Sequence, residues 1–350
     1  PSFPFFLSLI YRFVTDDLAQ VRLTLVILQL IFIPLLYYSA RTWGLSISAS
    51  IAAAALWFTF QNTQTHLFKL GAEILAAILA LVCLRVMIEK DKPNSKLRNA
   101  FGGLVAGLAA LTRGYLLPLI PLLGLWLWYR RGWRAATAFV LPAIVVLGLW
   151  CVRNQARLGV FSLSTEGWQT VWQGNSQFSE RGTWPQDWEP QRQYLNQHYP
   201  GFDQMNEIER DRVFRQAAIN EIKAHPERFL KAIPYRLFAF LQPRLGLVAS
   251  NLPGNRDYGY ALSLLLAPFG AMLWLKHKRY ADLFMLLLPL IAAAMTCAII
   301  FGNRRFRAPG EFALAILAAV AIEQAVKQRV VQTIFSRLLH RTRSIMLVLQ

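Results

Sequence analysis

The order of apolar and polar residues divides the chain into three blocks. Apolar runs fill residues 20–152, a polar stretch occupies 153–257, and apolar runs return over 258–327. A helix needs about 20 mainly apolar residues to cross the hydrocarbon core. On that criterion the pattern predicts about nine spans, at 20–41, 45–60, 68–88, 98–112, 115–129, 135–152, 258–275, 281–301 and 309–326. Several are short and need interfacial anchors or local bilayer thinning. Gly103 and Gly107 form a GxxxG spacing, which implies close helix packing rather than chemistry. Residues 1–19 are too short and proline-broken to span, and read as an interfacial segment of a first outer loop. Thr15, Asp16 and Asp17 end that segment. They read as a helix start, with Thr15 as N-cap and acids in the first turn, rather than as a catalytic pair.

The polar stretch holds five closely set aromatics (Trp168, Trp172, Trp184, Trp188, Tyr194) and one clear amphipathic helix. Asn206 and Glu209 make a capping box ahead of it, and Phe214, Ala217, Ala218 and Ile222 follow at helical spacing. His225-Pro226 ends that helix. The next segment, Pro226 to Leu241, sets Phe229, Leu230, Ile233, Leu237 and Phe238 beside Arg228, Lys231 and Arg236, a composition suited to a helix lying on a membrane. Trp184 and Trp188 either stack on a sugar ring or anchor their loop at the headgroups. Block two is therefore expected to be a water-side α-rich domain over 153–257, held by membrane helices at both ends. Residues 328–350 are expected to form an amphipathic tail, its segment Phe335 to Leu349 mixing basic and apolar residues.

Composition agrees: 55% of the residues are hydrophobic and 16% charged, against about 25% charged in a soluble domain. The expected fold class is an all-α integral membrane protein. The net charge of +18 fits basic cytoplasmic loops better than nucleic-acid binding. Cys83, Cys151 and Cys297 lie in apolar runs and read as small buried hydrophobes. The five histidines show no ligand spacing, so no metal site is expected.

Orientation follows from the basic residues. Arg41, then Lys90, Lys92, Lys96 and Arg98, then Arg130, Arg131 and Arg134, then Lys276, Lys278 and Arg279 fall on one side if the spans alternate, together with Lys327, Arg329, Arg337, Arg341 and Arg343. The positive-inside rule makes that side cytoplasmic, so the polar domain faces outward. Arg113, Arg153, Arg304, Arg305 and Arg307 are left at outer span ends, against the rule. Glu73 and Glu311 lie just inside spans near the same face. Each alone is explained by a snorkelling side chain or a salt bridge. As a group they suggest a site for a lipid whose phosphate sits at headgroup level, since guanidinium offers paired donors to phosphate.

These residues carry a likeness. PSFPFFLSLIY at the start, GLAALTRGYLLPL around Arg113, WCVRNQARLGVFSLSTEGWQTVWQGNS with Arg153, Asn154, Gly174 and Asn175, AINEIKAHPERFL, and RRFRAPGEFALAILAA resemble, in that order, segments of the polytopic glycosyltransferases of the GT-C class. The nearest likeness is to bacterial enzymes of the dolichyl-phosphate-mannose protein mannosyltransferase and aminoarabinose transferase type. The resemblance implies a GT-C-like multi-span bundle with an extracytoplasmic loop domain, in a bacterial inner membrane. It implies a polyprenyl-phosphate-linked sugar donor and inverting transfer to lipid A, another saccharide or protein. It also implies that the catalytic aspartate belongs to an outer loop upstream of Pro1, after a first helix; Asp16 and Asp17 do not match it. Where some relatives carry an NGG-like turn, this chain has Glu166-Gly167-Trp168.

On this reading Arg113, Arg304, Arg305 and Arg307 bind the donor phosphate and stabilise its charge as it leaves. Glu73, Arg153, Asn154, Asn175 and Glu311 support them, Trp168 and Trp172 contact the acceptor, and a carboxylate takes the acceptor proton. No cofactor is assigned, and assistance by a divalent cation stays open. The alternatives are a polysaccharide polymerase or ligase, a lipid-linked-sugar flippase or transporter, and a non-catalytic membrane partner.

Overall fold

The computed structural model describes residues 1–62, 70–88, 95–185, 187–243 and 257–328, all helix and turn with no strand among them. The tail from Arg329 onward, with Arg337, Arg341, Arg343 and the expected amphipathic segment, lies outside the described residues, as do Lys90 and Lys92.

Among the described residues seven helices precede the polar domain: α1 (Ser2–Phe13), α2 (Leu18–Thr42), α3 (Ile47–Phe58), α4 (Glu73–Ile88), α5 (Lys96–Thr112), α6 (Leu119–Arg131) and α7 (Trp133–Leu158). The polar domain contributes α8 (Gly167–Asn175), α9 (Glu189–His198), α10 (Glu207–Ala224) and α11 (Pro226–Leu241). The chain returns through α12 (Tyr258–Lys276) and α13 (Tyr280–Ile299). A 3-10 turn (Arg304–Gly310) then meets α14 (Phe312–Gln328) at a 63° bend.

Among the described residues four helices, α2, α7, α12 and α13, are long and apolar enough to cross a membrane, and the bent pair makes a fifth. The expectation of about nine exceeds this, because α3 has 12 residues, α4 16, α5 17 and α6 13, short of the roughly 20 a simple crossing takes. α4 is nevertheless central. Its buried residues run around the whole helix, from Ile74, Ala77 and Leu81 to Cys83, Leu84 and Met87, so it is wrapped by protein rather than faced to solvent. By contrast α7 leaves Leu141, Ile144, Val145, Leu149 and Val152 at least half exposed, and α2 does the same with Leu23, Leu30 and Ile31. Apolar belts of that extent fit a lipid surrounding.

Local signals set the helix ends. Asp17, not Thr15, caps α2, accepting the Ala19 N–H at 3.1 Å, while the Thr15 hydroxyl accepts the Asp17 N–H at 3.1 Å. A carboxylate reaching the N2 amide satisfies an orphan donor. Asn206 and Glu209 form the expected capping box on α10. The GxxxG is a packing seam: a Cβ at Gly103 would overlap the Phe139 carbonyl, and one at Gly107 would press on Val146 and the Ala143 carbonyl. Only glycine lets α5 and α7 approach that closely.

The helix ends assemble into two groups. At one end Arg131 donates to the Met87 carbonyl (2.6 Å), Arg279 to the Trp43 carbonyl (2.5 Å), and Ser46 contacts Glu323. At the other, the start of α4, the end of α5, the residues after α3 and the turn before α14 converge around carboxylates. Successive helices thus alternate in direction, with the polar domain on the second end.

That domain has its own small core. Trp172, Leu195, Phe202, Phe214, Ala217 and Ala218 are buried together, with Trp172 stacked on Tyr194 (6.3 Å) and tilted against Phe214 (5.5 Å).

Candidate functional site

Glu73 is the first residue of α4 and is 1% exposed. Its Oε1 accepts Arg113 Nη2 at 2.5 Å and also Arg305 Nε. Arg113 terminates α5 in an extended conformation, which turns its side chain off the helix axis toward α4. Arg305 comes from the 3-10 turn, whose N-cap Asn303 accepts the Arg305 N–H at 2.8 Å. Two guanidiniums therefore share one carboxylate, leaving a surplus positive charge. Their side chains are 24% and 39% exposed, so that charge can meet a ligand.

Tyr115 closes the side of this group. It lies in a short 3-10 turn (Gly114–Leu116) after Arg113, with its ring 4.9 Å from Phe306. Its buried hydroxyl has no hydrogen-bond partner among the described residues, and a buried hydroxyl left so is costly. The nearby charges are Glu73, Arg113, Arg305 and Glu311.

A second group lies deeper. Arg307 and Glu311 are both fully buried and joined at 2.6 Å. Arg307 also donates to the carbonyls of Phe240 (2.7 Å) and Gln242 (2.9 Å), and its guanidinium sits 3.7 Å from the Tyr260 ring centre. Asn62 donates to Glu311 (2.8 Å) and to the Arg304 carbonyl (3.1 Å), and its N–H reaches Asp257 (3.2 Å). Asp257 in turn caps α12 through the Tyr260 N–H at 3.0 Å. In a 3-10 helix residues i and i+3 eclipse, so Arg304 and Arg307 share a side while Arg305 turns toward Glu73.

The expected residues therefore separate. Arg113, Arg305 and Glu73 come together and remain partly open. Arg307 and Glu311 come together but are sealed. The phosphate-binding role expected of Arg307 is corrected on that ground: it has no exposed surface and its bonds tie the ends of α11 and α12 to the arginine turn. Arg304 is half-buried, near Arg307, Asp257 and Glu311. Arg153 is exposed at the end of α7, over the Trp150 ring (4.9 Å) and bonded to Asn154 (2.9 Å). Asn154 donates to the Ser162 carbonyl at 2.7 Å. That pair shapes the turn past Gly159.

Asn175 also serves structure. Its amide donates to the carbonyls of Val171 (2.8 Å) and Ile299 (3.0 Å), and its oxygen accepts Arg236 Nη2 (2.7 Å). Trp172 is 1% exposed in the domain core, so its expected contact with an acceptor is corrected as well. Trp168 is half-buried, with Arg215 5.5 Å from its ring centre. Trp184 packs on Phe301 (4.9 Å), where α13 ends, and Trp188 is 6.5 Å from Phe214.

The largest omission of sequence reasoning is Arg236, expected on the polar face of an interfacial helix. It is 1% exposed. Nη1 donates to the carbonyls of Ala298 (2.7 Å) and Ile299 (3.2 Å), and Nη2 to the Gly174 carbonyl (2.8 Å) besides Asn175. Two helix C-termini, of α8 and α13, point their carbonyls at one cation, which the helix dipoles favour. Burial nonetheless pushes its pKa down to about 10. The signal was in the register: Ala232, Arg236 and Phe240 recur every four residues and all three are buried.

Among the described residues no cluster of His, Cys, Asp and Glu could hold a metal ion. Comparison of the chain with protein-family models, curated proteins and solved structures finds no match.

Proposed function

We propose that the chain is a membrane glycosyltransferase that moves a sugar from a polyprenyl-phosphate carrier to an extracytoplasmic acceptor, with inversion. The observation that carries this is the shared carboxylate: Glu73 holds Arg113 and Arg305 side by side, partly exposed, with one positive charge in excess. Preorganised cations stabilise charge that develops on a leaving phosphate without moving to meet it. A lipid-borne phosphate reaches them at headgroup depth. The Tyr115 hydroxyl, buried beside them and without a hydrogen-bond partner among the described residues, is a ready donor to a phosphate oxygen. Glu73 Oε1 is occupied by two guanidiniums, so the residue acts as a clamp and not as the base that deprotonates the acceptor. In this reading α2 to α7 and α12 to α14 all traverse the bilayer, the short helices inside the sleeve of longer ones. The basic helix ends are then cytoplasmic and the polar domain lies outside, over the donor.

The test is transfer of labelled sugar from a polyprenyl-phosphate donor in membranes carrying the protein. Arg305→Ala is expected to reduce transfer by about 100-fold or more, with Arg305→Lys recovering only part. Binding of polyprenyl monophosphate is expected to weaken in parallel. Wild-type transfer by a folded Arg305→Ala protein refutes the assignment.

A further inference from the structure

A cleft of about 220 Å³ opens at the opposite end of the bundle. Three elements wall it: the α2–α3 turn (Gly44, Leu45), the last turn of α12 with the residues after it (Trp274, His277, Arg279), and the last turns of α14 (Glu323, Gln324, Lys327). We propose that this cleft binds the phosphodiester headgroup of an anionic phospholipid from the leaflet at that end. The inference does not rest on the glycosyltransferase reading.

Arg279 is the fixed part of the site. Its Nε and Nη2 bond Asp282 (2.9 and 2.7 Å), Nη2 also reaches the Trp43 carbonyl (2.5 Å), and the guanidinium lies 4.3 Å from the Trp274 ring centre. Nη1 has no partner among the described residues, so one edge of a rigid fork remains for an anion oxygen. Lys327 is the mobile part: it is 66% exposed and reaches Glu323 at 2.7 Å. Lys276, the last residue of α12, and Lys278 just after it are exposed next to the lining residues His277 and Arg279. Among the lining residues the cations Arg279 and Lys327 outnumber the single acid, Glu323, which favours an anion over a zwitterion.

The surroundings select a lipid over a soluble phosphate. Met272 and Leu275 on α12 and Val326 on α14 are 60%, 42% and 55% exposed. They continue the apolar belt of the bundle up to the cleft, where acyl chains can lie while the headgroup enters. Basic pockets between helices at a membrane surface are built for this kind of ligand.

The experiment uses the full chain, purified and stripped of lipid in neutral detergent. Bound lipid is counted by native mass spectrometry during titration with phosphatidylglycerol, with phosphatidylcholine, and with inorganic phosphate as competitor. Phosphatidylglycerol is expected to bind at least tenfold tighter than phosphatidylcholine and to resist competition by phosphate. The double variant His277→Ala/Lys327→Ala, which alters two exposed side chains, is expected to lose about tenfold in affinity. Arg279→Ala is expected to lose more, and the double variant keeps the test sound if loss of the Trp43 tie unfolds that protein. Unchanged phosphatidylglycerol binding by the double variant overturns the proposal. So does equal affinity for the two lipids, or displacement by inorganic phosphate, which makes the cleft a soluble-anion site.

Discussion

Replacing Arg236 tests how the polar domain is mounted on the bundle. Arg236→Met keeps much of the side-chain volume and removes all five donors. Ile299 O retains the amide of Asn175 at 3.0 Å. Among the described residues the Ala298 and Gly174 carbonyls and the Asn175 oxygen lose the side-chain donor that reaches them. Each buried acceptor left unpaired costs about 1–3 kcal/mol. Relief of the desolvation of a buried cation offsets part of that sum. A net loss of about 3 kcal/mol follows, felt locally where α8, α11 and α13 meet. Cys297 provides the readout, because its buried thiol lies against the Arg236 carbonyl at 3.5 Å. With Cys83 and Cys151 replaced, maleimide labelling of Cys297 reports opening of this junction. A 3 kcal/mol loss raises the labelling rate about 100-fold, at a factor of ten per 1.4 kcal/mol. If Arg236→Met labels at the wild-type rate, the four bonds do not hold the junction and the argument fails.

Glu73→Gln leaves Arg113 and Arg305 without their shared charge; a loss of about 3–5 kcal/mol is expected, read as the shift in detergent unfolding, together with loss of polyprenyl monophosphate binding. Gly103→Ala forces α5 away from the Phe139 carbonyl, at a cost of about 1–3 kcal/mol, read the same way. Trp172→Ala empties the polar-domain core and is expected to cost about 3–5 kcal/mol, exposing α8 to limited proteolysis while the bundle stays resistant. The Asp203 carboxyl is held below its ordinary value, first by the hydrogen bond from Arg192. A depressed folded value means stability present above the unfolded value of about 3.9 and lost as pH falls through the folded one. Acid unfolding of the domain below about pH 4 is therefore expected to be flatter in Asp203→Asn, with a small amplitude because the pair is exposed.

The block pattern and the GxxxG seam were legible because each depends on local spacing: alternation of apolar and polar runs places the blocks, and a glycine pair demands only a close neighbour. The meeting of Glu73, Arg113 and Arg305 was legible too. Charges stranded at one end of alternating helices have few other places to go. The run Arg304-Arg305-Phe306-Arg307 was harder. An extended strand would put Arg305 and Arg307 on one face, whereas the 3-10 turn sends one to Glu73 and the other to Glu311. Composition cannot choose between those geometries. Trp172 misled for a related reason, since an aromatic in a polar stretch suits a small core as well as a sugar surface. Helix length was the weakest inference: α3 to α6 run only 12 to 17 residues, and polar or charged residues such as Gln61, Arg113 and Arg130 stand at or near their ends.

The two buried arginines explain why the charged turn is where it is. Arg236 fastens the end of α13 to α8, and three residues after Ile299 the Gly302 N–H bonds the Gly182 carbonyl of the polar domain at 2.9 Å. Arg307 fastens the other side of the same turn to the carbonyls of Phe240 and Gln242. Arg305 sits between these two anchors, and both anchors reach α11. Any shift of α11 therefore moves the guanidinium against Glu73, whose own position is set by α4 deep in the bundle. An anion drawn to Arg113 and Arg305 meets a guanidinium pair that Glu73 holds in place, so its affinity depends on how firmly α11 holds the turn. Loss of Arg236 is accordingly expected to weaken anion binding even though Arg236 never touches the ligand. Restoring the Arg305–Glu73 pair alone does not repair that loss, because the fault lies in the mount.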